Sequence, residues 1–221
     1  MVGESTGGHV WLERLTDDTN PWLTAVRMEE QGEFARAALL YLEDATKNLD
    51  ESAVVRAALG GTCAADCFAK LGLRGRARRL YHMAGMLYWD NADARMGASV
   101  RESLWSLQEA YECFLLAGEE ENSGRVHLLF TSLARRANPF IGSRDAFELP
   151  MKADLAAELS DLGGHEEARE EPADLVKAFN GFLKARESQR ERAAAAAGKT
   201  PLLQGQEMET IDAQGFVGQL G

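Results

Sequence analysis

Apolar side chains recur at three- and four-residue intervals through most of this chain, and no run alternates in the manner of a half-buried strand. The spacing predicts an all-α protein. Asn20-Pro21 reads as a helix start, with Asn as N-cap and Pro at the first helical position, where its missing N–H does no harm. A first helix is expected to about Gln31, a second from Gly32 to Lys47, and a third, capped by Asp50, through Leu71. Gly72 to Gly75 turn the chain into a fourth, ending near Asp90-Asn91; a fifth covers about Asp93–Ala117 and a sixth Ser123–Ala137. Pro139, Gly142 and Pro150 punctuate a loop. A seventh helix, Met151–Leu162, leads to Gly163-Gly164 and an eighth, which Pro172 breaks and which restarts at Ala173. The charged and then alanine-only stretch Glu187–Ala197 is expected to fray, and no core-forming pattern follows Gly198.

Within this periodicity a longer pattern repeats. From Gly32, Phe34, Ala37 and Tyr41 follow at plus two, five and nine. From Gly72, Ala77, Tyr81 and Ala84 follow at plus five, nine and twelve. Gly118 and Gly163 open weaker versions, the latter interrupted by Pro172. Four residues before the glycines stand Met28, Phe68, Phe114 and Leu159; seven before stand Ala25, Ala65, Tyr111 and Ala156. Large residues one turn from small ones let two antiparallel helices approach closely, and Gly suits the tight turn between them.

The pattern resembles the tetratricopeptide (TPR) hairpin, in which Gly, an aromatic, Ala, Tyr and Ala recur at these offsets. The separations here, 40, 46 and 45 residues, exceed the ~34 of the standard repeat. Longer hairpins of this kind are similar to those of the soluble NSF attachment proteins. The resemblance covers about residues 20–170 and implies a right-handed stack of antiparallel helical hairpins, a TPR-like solenoid, with an unstructured C-terminal tail. A non-repetitive helical bundle with chance glycine spacing is the alternative. The expected division is an N-terminal arm at 1–19, the repeat domain at 20–190 and a tail at 191–221.

Composition narrows the function. The chain of 221 residues carries a net charge of −11, which argues against nucleic acid as the main partner, because phosphate binding needs a basic footprint. Three cysteines, a polar start and no apolar stretch near the ~18 residues of a membrane span point to a cytoplasmic protein without a transmembrane segment.

Three surfaces are candidates for binding. In TPR-like proteins first helices line a concave groove, which carries over here to Trp22, Glu29, Asp66, Gln108 and Glu112, a mildly acidic groove with an apolar anchor at Trp22. A basic patch, Arg74, Arg76, Arg78 and Arg79, opens a helix where the dipole disfavours cations and so calls for an acidic partner, external or intramolecular. The tail places Ile211, Phe216, Val217 and Leu220 among polar residues, as in short docking motifs.

No catalytic constellation stands out. Cys63 and Cys67 share a helix face and His82 lies on the next helix, but paired ligand motifs are missing and core packing is the simpler reading. Gly198-Lys199-Thr200 lacks the glycine and the preceding strand of a phosphate-binding loop, and His165-Glu166-Glu167 has no second His at zincin spacing. No cofactor and no metal site is expected. The sequence therefore predicts a non-enzymatic scaffold, or a subunit of a larger assembly, that binds another protein through its groove. The alternative is an attachment-protein-like adaptor for an ATPase disassembly machine.

Overall fold

In the computed structural model residues 20–137 and 172–196 are described. The expected N-terminal arm, the 138–149 loop, the Met151–Leu162 helix, the Gly163 unit and the tail motif Ile211, Phe216, Val217 and Leu220 lie outside them. The described residues form α1 (Pro21–Glu30), α2 (Phe34–Asp50), α3 (Val54–Lys70), α4 (Arg74–Arg95), α5 (Val100–Ala117), α6 (Glu120–Ala137) and α7 (Ala173–Ala196), with no strand among them. The protein is all-α. Each of α1 to α5 packs on the next along the chain, and α7 returns to pack on α2.

The glycines act as the sequence requires. Gly32, Gly72 and Gly118 have φ of +79°, +78° and +78°. After each, the next amide reaches back to the carbonyl four residues before the glycine: Glu33 to Met28 at 2.8 Å, Leu73 to Phe68 at 2.9 Å and Glu119 to Phe114 at 2.9 Å. This left-handed cap satisfies carbonyls that a helix end leaves orphaned. Nothing lies within 4 Å of a Cβ built on Gly118, so Gly118→Ala isolates the backbone term. It should cost about 1 kcal/mol, read as a lowered melting temperature with unchanged helix content. Ser52 adopts the same conformation, φ 60°, at the α2–α3 turn, where Ala53 N donates to Asn48 O at 2.8 Å.

Two boundaries differ from the sequence reading. Asp50 is the last residue of α2 and does not cap α3; the turn needs Glu51–Ala53 to reverse the chain. Asp93 ends no turn either: α4 runs on to Arg95 and α5 begins at Val100, where the Ser99 hydroxyl accepts from the Glu102 amide at 3.3 Å. Ser99-x-x-Glu102 is a capping-box spacing, a local signal for this start. The Asn20 cap holds, accepting from Trp22 N at 3.1 Å, and α7 starts directly after Pro172. The charged and alanine-rich stretch from Glu187 is part of α7, which is continuous through Ala196.

The core is made by small residues facing large ones. A Cβ on Gly60 would stand 2.9 Å from Ala45 Cβ, and one on Gly85 3.0 Å from the Phe114 ring, so α3 meets α2, and α4 meets α5, nearly backbone to side chain. Tyr41, Phe68, Tyr81, Tyr88 and Phe114 fill the space between helices, all at 2% exposure or less. α7 adds Leu175, Phe179 and Phe182 to this core.

Candidate protein-interaction face

Helices α1, α3 and α5 each precede one of the three glycine turns and carry the predicted groove residues, Trp22, Glu29, Asp66 and Gln108 half-buried and Glu112 buried. Glu29 of α1 accepts from the Tyr41 hydroxyl at 2.9 Å and from Lys70 Nζ of α3 at 2.7 Å, so it ties three helices together. Burial disfavours the Lys70 ammonium, yet the hydrogen bond and charge of Glu29 outweigh it and hold its pKa above the ordinary lysine value. Asp66 of α3 accepts from the Tyr81 hydroxyl. The two tyrosines stand at the same offset from their glycines, and each is braced to an acid on the preceding helix. At that offset in the third unit stands His127, its ring 5.8 Å from Tyr111 of α5. Trp22 is half-buried, edge-on to Tyr41 at 5.1 Å. Gln108 is half-buried, and Glu112 is only 4% exposed, which leaves its carboxylate little surface to offer a partner.

The large exposed apolar residues of this face were missed by the sequence reading. Leu59 is 43% exposed and Trp105 44%. Each stands thirteen residues before its glycine, a coincidence visible in the sequence once the repeat is written out. Leu59 shares its helix face with Thr62 and Asp66, and Trp105 shares its own with Gln108. Beside Trp105 lies buried Tyr88 of α4, whose ring meets Trp105 edge-on at 5.6 Å. Thr62 Oγ1, one turn after Leu59 on α3, lies 3.7 Å from Cys113 Sγ of α5 and brings the two helices side by side. Burial, with the charges of Cys113 and Glu109 as lesser causes, pushes the Tyr88 hydroxyl pKa upward.

Cys63 and Cys67 sit in surroundings that disfavour the thiolate. Burial first, then Asp66 and Glu29, pushes Cys63 to about 12; burial and Glu29 do the same for Cys67, also to about 12. Both are therefore protonated thiols at neutral pH. His82 lies beside Glu119, with Nδ1 2.6 Å from Oε1, within ion-pairing distance but out of line for a hydrogen bond. Among the described residues no group of three or more His, Cys, Asp or Glu converges on a metal-sized space.

The basic patch is partly absorbed by the fold. Arg76 and Arg79 set their guanidinium groups 4.7 Å and 5.9 Å from the centre of the Phe179 ring of α7, and Phe68 packs on the same ring at 5.9 Å. Arg74 is half-buried and Arg78 exposed. Further along α7, Arg186 is 1% exposed and bonds Asp90 of α4 and its own neighbour Gln189. A cavity of about 390 Å³ opens there, lined by Val54, Asp90, Asn91, Ala94 and Arg186 among others. Its polar groups largely bond one another or the fold, as Asn91 does to Ser106 at 2.8 Å.

Among the described residues no helix is long and apolar enough to cross a membrane. Compared with protein-family models, with curated proteins and with solved structures, the chain gives no significant match in any of the three.

Proposed function

We propose that the protein is a non-enzymatic interaction scaffold of TPR-like type, a right-handed stack of helical hairpins that works in the cytoplasm and binds another protein through the α1/α3/α5 face. The repeated brace carries this reading. Three glycine turns share one φ and one hydrogen-bond pattern, and tyrosines at the same offset from two of them, Tyr41 and Tyr81, each bond an acid of the preceding helix, Glu29 and Asp66. A face held in this way binds without first ordering itself, which is where association otherwise loses free energy. The same face exposes Leu59 and Trp105.

The test is affinity capture of the tagged protein from its own cells, followed by mass spectrometry and sizing. Wild type should bring down a stoichiometric partner that a Leu59→Asp, Trp105→Asp double variant loses, with helix content and melting temperature close to wild type. Equal recovery by both would remove the face from the account, and a partner-free monomer would remove the scaffold.

A further inference from the structure

The exposed apolar pair sits between unlike charges. On α3, Arg56 lies one turn before Leu59 and Asp66 two turns after it. On α5, Arg101 lies one turn before Trp105 and Glu109 one turn after. Two charges of opposite sense on these helices are matched within the fold, Glu102 by Arg95 at 3.5 Å and Lys70 by Glu29 at 2.7 Å, which leaves Arg56 and Arg101 toward the N-terminal ends and Asp66 and Glu109 toward the C-terminal ends. The helix dipoles point the same way, positive at the N-termini, so they reinforce this polarity instead of cancelling it. The acidic half is felt by its neighbours: Asp66 and Glu29 help burial raise the Cys63 pKa, and Glu109 does so for Tyr88.

We propose that this face binds a segment of a partner protein that sets one large apolar side chain between Leu59 and Trp105, over the buried Tyr88 ring. The segment carries Lys or Arg on the flank facing Asp66 and Glu109, and acidic residues on the flank facing Arg56 and Arg101. The inference rests on the scaffold reading and adds the chemistry of the occupant. A second copy of the chain is a poorer fit. Two side chains less than half exposed offer on the order of 200 Å² of apolar surface, against the ~1,200 Å² or more that a stable interface buries. The chain's own Ile211–Leu220 run is also a poorer fit. Glu207, Glu209 and Asp212 precede or interrupt it, and no Lys or Arg stands between Pro201 and Gly221 to meet the acidic half.

The experiment selects binders to the full-length protein from a displayed library of random short peptides, then measures the affinity of a synthetic consensus peptide. Selected sequences should share an apolar anchor with basic residues on one flank and acidic ones on the other. Trp105→Ala should weaken the consensus peptide at least ~10-fold, and Glu109→Lys should weaken it while leaving the melting temperature in place. Added salt should weaken it further. Binders that need Trp105 but lack the two-signed flanks would overturn the proposed chemistry and leave the face standing. Binders indifferent to both Trp105→Ala and Leu59→Ala would overturn the face itself. Self-association abolished by Trp105→Ala would assign the site to a second copy, and a gain in affinity on removing residues 197–221 would assign it to the tail.

Discussion

Replacing Phe182 by alanine should destabilise the protein by about 3–5 kcal/mol, a loss of roughly 10 °C or more in melting temperature. The ring is fully buried and wedged where only a glycine leaves room: a Cβ on Gly61 of α3 would stand 3.3 Å from the ring and 3.7 Å from Ala84 Cβ of α4. Gly61 and Ala84 have no longer side chains to swing into the space, so the cavity stays open and the full cost is felt. Phe182 is also the middle of the α7 seat. Leu175 and Phe179 lie up the helix, and Arg186 lies one turn down, on Asp90. Gly61→Val attacks the same seat from the other side while leaving α7 unaltered, and should release it by overpacking. Thermal unfolding followed by circular dichroism reads both, and limited trypsin digestion should cut α7 at Lys184 or Arg190 early in either variant. Wild-type melting temperatures in both would mean that α7 is not seated on α3 and α4.

The second large effect is alkaline unfolding. In an unfolded chain the thiols of Cys63 and Cys67 ionise near 9.0, whereas in the folded protein both hold their protons to about 12. A folded pKa above the unfolded one gives stability that is complete below pH 9 and falls as pH rises toward 12, because over that window the unfolded chain has released protons that the fold retains. Each thiol contributes a slope of about 1.4 kcal/mol per pH unit, so the pair removes on the order of 4 kcal/mol by pH 10.5. Tyr41 and Tyr88, whose hydroxyls burial also holds protonated, add to the loss above pH 10. Urea unfolding at a series of pH values should show the midpoint dropping steeply from pH 9. The Cys63→Ala, Cys67→Ala double variant should be nearly flat between pH 9 and 10. A flat wild-type profile over the same interval would show that the thiols are open to solvent.

How much of this was legible depended on whether the cause was local. The glycine turns were readable because only glycine takes φ near +78° without strain, so chirality writes the turn into the sequence at 32, 72 and 118. The equivalent turn at Ser52 was not, because a serine there carries no such mark and its geometry is imposed by the packing of α2 on α3. The start at Ser99–Glu102 was readable as well, because Ser-x-x-Glu is a local capping signal. The seat of α7 could not be read, since Phe179 and Phe182 look like any apolar stripe until the fold brings Arg76, Arg79 and Gly61 beneath them. On the candidate face, spacing placed Glu29 and Asp66 on the helices expected of them. It gave no sign that Glu112 would sink to 4% exposure or that Trp105 would stand out, because exposure at a helix edge is decided by the neighbouring helix.

Hydrogen exchange with and without the captured partner tests the scaffold claim most directly. The account predicts slowed exchange centred on α3 around Leu59–Asp66 and α5 around Trp105–Glu112 and reaching α1 around Trp22–Glu29, with α6 and α7 unchanged. Protection centred on α6 or α7, with α3 and α5 untouched, would contradict it.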